Sequence, residues 1–187
     1  MNSIQPLIPE EPETSELHSI AGQVLAGSHL LRGQAGPSLR HPLQTLLRSM
    51  NSYYTNKIEG QNTRPAEIEA ALHKQFNASA VIARKQRLAV AHLEAEIELE
   101  AQTDALSDAE MFSPDTVQQI HRTLYSRLPQ ADRTTDEGKE IIPGAFREEN
   151  VRAGYHVAPL HEDIEGLLSV WFHGYSRIPG GEKRLIG

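Results

Sequence analysis

The sequence predicts a mainly α fold, a helical bundle that carries one small β-hairpin. Three observations predict it. Apolar residues recur at spacings of three and four through most of the chain. Gly, Pro and Asn clusters break that pattern at short intervals. One stretch, 151–157, alternates with a period of two.

Residues 1–13, acidic and proline-rich, read as an extended lead without a signal peptide's basic and apolar regions. A first helix is expected over Ser15 to Leu31, with Leu17, Ile20, Ala21, Val24, Leu25 and Leu31 on one face. Gly33, Gly36 and Pro37 end it. A second begins near Leu39, with Leu43, Leu46, Leu47, Met50 and Tyr54 as its buried stripe and Gly60 as its terminator. Pro65 opens a third, through Leu72 and Phe76. Residues 80–101, rich in Ala, Glu, Leu and Arg without Gly or Pro, read as a long helix.

Ser113-Pro114-Asp115 combines a cap, a first-turn proline and an acidic first turn. The helix behind it has Val117, Ile120, His121, Leu124 and Leu128 on one face. Val151, Ala153, Tyr155 and Val157 then alternate with Arg152, Gly154 and His156, which predicts a strand. It is expected to be the second arm of a hairpin whose first arm holds Phe146 and Arg147. Leu160, Ile164, Leu167, Leu168, Trp171 and Tyr175 mark a last helix, with Trp171 in the core. No repeat with a period of 20 to 50 residues is present.

Composition excludes several function classes. Of 187 residues, 39% are hydrophobic and 23% charged, as in globular domains. The net charge of −7 argues against binding a nucleic-acid backbone. The absence of cysteine removes disulfides, thiolate metal sites and cysteine nucleophiles. No run of about 18 apolar residues is available to span a membrane, and a cytoplasmic location is the expectation. There is no phosphate-binding glycine loop, dinucleotide fingerprint, His-Glu-x-x-His or Gly-x-Ser-x-Gly.

One place breaks a local rule. In Thr55-Asn56-Lys57-Ile58-Glu59-Gly60, Thr55 and Glu59 stand one turn apart on the same helix face. Gly60 closes the helix, so a carboxylate sits at a helix C-terminus, where the macrodipole favours a cation by roughly 0.3–1 kcal/mol. Such violations mark functional positions.

The segment resembles the inhibitory motif of Fic proteins: Ser or Thr, three residues, then Glu and Gly or Asn, matched by Thr55, Glu59 and Gly60. NSYYTNKIEGQNTRPAEIEAAL is similar to the region ahead of many Fic domains. HRTLYSRLP and IIPGAFREENVRAGYHVAPLHEDIEGLLSVWF resemble, in the family's order, the helix and hairpin that precede the catalytic helix. The resemblance covers most of residues 37–175. It divides the chain into an extension with the first helix (1–36), a Fic amino-terminal region with the inhibitory helix (37–104) and the first part of a Fic domain (105–187). The family's His-Pro-Phe and Gly-Asn-Gly-Arg signature does not occur in these residues. Glu182-Lys183-Arg184-Leu185-Ile186 resembles the start of the helix leading to it, so the chain is expected to be a truncated or fragmentary member.

The resemblance implies an adenylyltransferase (a nucleotidyltransferase) that moves AMP from ATP to a hydroxyl of a target protein. ATP and magnesium are implied for the complete enzyme, with none bound by this chain alone. No catalytic or metal-binding residue is assigned; the histidines read as surface or core residues. Glu59 is implied to block the outer phosphate of ATP by pairing with a signature arginine, and Thr55 to orient it. The flap Val151, Arg152, Ala153, Gly154, Tyr155, His156 and Val157 is implied to dock the target's backbone as an added strand, with Arg147 either bracing the flap or held in a surface salt bridge. A homodimer stays open. The alternative reading is an antitoxin-like helical protein that offers Glu59 to a separate Fic protein.

Overall fold

The computed structural model describes residues 14–58, 60, 63–103, 105–107, 110–135, 137–178, 181 and 185. The lead at 1–13, Glu59 and the segment 182–184 lie outside them. The described chain is mainly helical: α1 Thr14–Gln34, α2 Pro37–Ile58, α3 Pro65–Leu72, α4 Ala80–Thr103, α5 Pro114–Tyr125 and α6 Ile164–Tyr175, with strands β1 Arg152–Ala153 and β2 His156–Val157. No described helix is long and apolar enough to cross a membrane. The chain forms two compact units, one of residues 1–36, 106–117 and 146–187, the other of 37–105 and 118–145.

In the second unit, α4 is the central helix, packed by α2 on one side and α3 on another. Its core is Ile68, Ala89 and Leu93, with Tyr53 against it. Four small residues of α4, Ala83, Ala89, Ala91 and Ala95, are buried at different points around the helix, and Ala89 lies against α2. The expected buried stripe of α2 is a correction: Leu43, Leu46, Leu47, Met50 and Tyr54 are 41–56% exposed. Ser52 and Asn56 are buried instead. Ser52 Oγ donates to the Ala89 carbonyl at 3.2 Å, and Asn56 Nδ2 donates to the Ser52 carbonyl at 2.7 Å. Small polar side chains satisfied by backbone let the two helices approach closely, where a leucine row would hold them apart.

Helix α3 starts at Pro65, with the Glu67 carboxylate accepting the Arg64 backbone N–H at 2.7 Å. It stops at Leu72, short of Phe76. Lys74 takes φ +61°, its N–H reaching Ala71 O and that of Gln75 reaching Ala70 O, both at 2.9 Å. This is the Schellman pairing that ends helices. Buried Gln86 then ties α4 to both sides, donating to Glu67 O at 3.1 Å and accepting from Asn77 N at 2.7 Å. On another face of α4, Arg87 Nε meets the Asp132 carboxylate at 2.5 Å, while Arg84 donates to Thr134 O at 3.0 Å. These bonds fasten the turn after α5 to α4.

In the first unit, Ser113 caps α5 by accepting the Thr116 N–H at 3.1 Å. The helix ends at Tyr125, among the residues of the second unit, before Leu128, which is nevertheless buried there. A single 3-10 turn, Glu110–Phe112, packs on α6: the Phe112 ring stacks on Tyr175 at 5.5 Å and meets Trp171 edge-on at 5.8 Å. Trp171 is partly buried among these rings.

The hairpin is the second correction. Residues 151–157 do not form one strand paired with Phe146 and Arg147. They fold back on themselves, with Arg152 opposite Val157 and Ala153 opposite His156. Gly154 at φ +60° is the first central residue of the two-residue turn, the position where a type II′ hairpin needs glycine.

Candidate functional site

The end of α2 is built from two faces of one helix. Ser52 anchors it on α4, and buried Asn56 donates to Ser52 from the next turn. Thr55, next to Asn56 in sequence, stays exposed and lines a cavity between α2, α4 and α5. The helix closes at Gly60, whose φ of +74° is the left-handed conformation and whose N–H reaches Lys57 O at 3.1 Å. Lys57 lies over the Tyr53 ring, 5.6 Å from its centroid, at the end of the helix where a cation is favoured. Thr55 and Gly60 are therefore held by the second unit. Glu59 lies outside the described residues.

The side of α2 opposite the anchored face is apolar. Leu39, Leu43, Leu46, Leu47, Met50, Tyr54 and Ile58 follow helical spacing, and every one is exposed, Ile58 by 83%. A row of this length on one helix is a continuous apolar strip rather than scattered exposure.

The hairpin residues belong to the first unit and are described by themselves. Tyr155 at the tip is 98% exposed, and Val151, Arg152, Gly154, His156 and Val157 are exposed as well. Among the described residues, each strand pairs only with the other, so their outer backbone edges are open. The base is braced. Arg147 donates from Nη1 to Glu149 O at 2.6 Å and from Nη2 to Pro159 O, spanning the start and end of the loop. Asn150 Oδ1 accepts the His161 N–H at 3.0 Å. Arg152 Nε reaches Gly154 O at 2.7 Å across the turn. A short exposed hairpin on a hydrogen-bonded base can offer its edge to an extended peptide.

Just ahead of the hairpin region, His121 on α5 accepts the Gly144 N–H at its Nδ1, 2.8 Å away. Desolvation by burial holds the imidazole below its ordinary pKa. Among the described residues no three His, Asp or Glu side chains converge on a metal position.

Sequence reading missed two residues that the structure brings to the Thr55 cavity. His92 and Glu96 of α4 stand one turn apart, with His92 Nδ1 and Glu96 Oε2 covered and without hydrogen-bond partners. Nothing in a Glu- and Ala-rich helix marks them out, because only the packing of α2 and α5 turns that face inward. No protein-family model, curated protein or solved structure matches the chain.

Proposed function

We propose that the chain is the regulatory and target-docking portion of a Fic-type protein adenylyltransferase, autoinhibited through Glu59. The observation that carries this reading is the end of α2. Thr55 and Gly60 lie at the end of a helix anchored on α4 through Ser52, while its opposite face is an exposed apolar row from Leu39 to Ile58. Such a helix can dock beside a catalytic segment by that row, with Glu59 reaching the segment from the end of the helix and not from the row itself. The carboxylate then forms a charged hydrogen-bonded pair with the arginine that would otherwise hold the outer phosphate of ATP. ATP and magnesium belong, on this reading, to that catalytic segment. The exposed hairpin 151–157, stiffened at its base by Arg147, serves the target's backbone by strand addition.

The same row would serve equally in trans, with the chain as an antitoxin-like inhibitor of a separate Fic protein. A braced hairpin with open edges favours the first reading, since an inhibitor has no need to dock a target. The test is calorimetric titration of this chain into a Fic catalytic segment that carries the signature. Saturable binding that Leu47→Asp with Met50→Asp abolishes supports the reading. Binding unaffected by that double substitution removes the role of the α2 row.

A further inference from the structure

The second unit holds a cavity of ≈ 440 Å³ between α4 and the turn after α5, lined by Arg84, Lys85, Tyr125 and Thr134, among others. We propose that it binds a small organic anion, a carboxylate or phosphate group carried on an apolar body. This inference does not depend on the adenylyltransferase reading.

The lining carries an unbalanced charge. Three and four residues from Lys85 on α4 stand Val81, Ile82, Leu88 and Ala89, so its own helix offers the ammonium no carboxylate. Lys85 is half-buried and forms no hydrogen bond or ion pair among the described residues. Tyr125, half-buried on the same wall, has a hydroxyl without a hydrogen-bond partner among them. Both donors stay accessible: the partnerless atoms closed off from solvent belong to Thr63, His92, Glu96 and Arg133. Asp132, the carboxylate on the lining, is already held by Arg87 at 2.5 and 3.1 Å. Arg84, Lys85 and Arg87 thus share one carboxylate, a local positive excess in a chain of net charge −7.

The cavity is also held open by its own bonds. Arg84 donates to Thr134 O at 3.0 Å, and Arg87 fixes Asp132, so α4 braces the opposite wall. A site shaped in advance loses less on binding. The occupant's chemistry follows. Lys85 repels a cation, and a neutral apolar molecule leaves the ammonium unbalanced and the hydroxyl unmet. A carboxylate or phosphate offers acceptor oxygens to both donors. Val81, Leu88, Leu128 and Ile141 give the rest of the molecule an apolar wall.

The test titrates the 187-residue chain with benzoate, phenyl phosphate and the neutral isostere benzamide, by calorimetry and by amide chemical shifts. At least one anion is expected to bind saturably with Kd of about 1 mM or tighter, and benzamide at least about tenfold more weakly. The tighter anion assigns the head group. Lys85→Gln, which nearly keeps the length and removes the charge, is expected to weaken that anion at least about tenfold. Tyr125→Phe is expected to weaken it about threefold to tenfold. In the parent, shift changes are expected at Val81, Lys85, Tyr125 and Thr134, a readout that holds even if a variant folds poorly. No saturation by about 10 mM of either anion overturns the proposal. So does equal binding of benzamide, undiminished binding in Lys85→Gln, or shift changes confined to other residues.

Discussion

Gly144 donates its backbone N–H to Nδ1 of His121 at 2.8 Å, so the imidazole must keep that nitrogen unprotonated in the folded chain. Burial acts in the same direction, holding the His121 pKa below its ordinary value of 6.5. The unfolded chain then binds a proton that the folded chain resists, and stability rises with pH through this range. The contribution is fully present above about 6.5 and is lost as pH falls through the folded pKa. Thermal unfolding measured from pH 8 down to 5 should show Tm falling below about pH 6.5. In His121→Asn that fall should be shallower. An identical pH dependence in parent and variant would remove His121 as its source.

The same turn makes a steric prediction. At Gly144, φ is +79°, and an added Cβ would lie 2.8 Å from Arg122 Nε. Gly144→Ala should destabilise by about 1–2 kcal/mol from backbone strain plus displacement of Arg122. Adding Arg122→Ala should recover only the steric part. Denaturant midpoints of the two variants separate the contributions.

The orientation of α2 can be tested by opposing substitutions. Leu46→Asp and Leu47→Asp, on the exposed row, should each change stability by no more than about 0.5 kcal/mol. Ser52→Leu, beneath the helix against Ala89, should cost about 1–3 kcal/mol because the seam has no space for the added methylenes. Chemical denaturation of the three variants checks the order. If the leucine substitutions cost more than Ser52→Leu, the helix faces the other way.

This helix also shows where sequence reading reached its limit. The periods of α1 to α4 were legible because apolar spacing and Gly or Pro breaks mark helices directly. The face buried by α2 was not. Hydrophobicity alone ranks Leu43, Leu47 and Met50 above Ser52 and Asn56, and the preference for a small residue exists only once Ala89 of α4 lies opposite. At 151–157 the alternation was real, yet Gly154 turned the chain in its middle, so one expected strand became two. Thr55 and Gly60 stood out through a broken helix-end rule, whereas His92 and Glu96 acquire partnerless atoms only through packing.

Lys74 occupies the left-handed position after α3 that glycine fills without strain. Lys74→Gly should therefore stabilise the chain by about 1 kcal/mol, since both Schellman bonds remain. A lowered midpoint in urea would show that the lysine side chain contributes more than its backbone conformation costs.

The central claim is that Glu59 inhibits AMP transfer, and one measurement addresses it most directly. The chain is joined to a Fic catalytic segment carrying the signature, and transfer from labelled ATP is timed for the parent, Glu59→Gly and Thr55→Ala. A charged hydrogen bond contributes roughly 1.5–3 kcal/mol, so releasing the phosphate-binding arginine should speed transfer about tenfold to a hundredfold in Glu59→Gly. Thr55→Ala should give a smaller gain, because it loosens only the orientation of the carboxylate. Equal rates for the parent and Glu59→Gly would contradict the account and leave Glu59 an ordinary residue at the end of a helix.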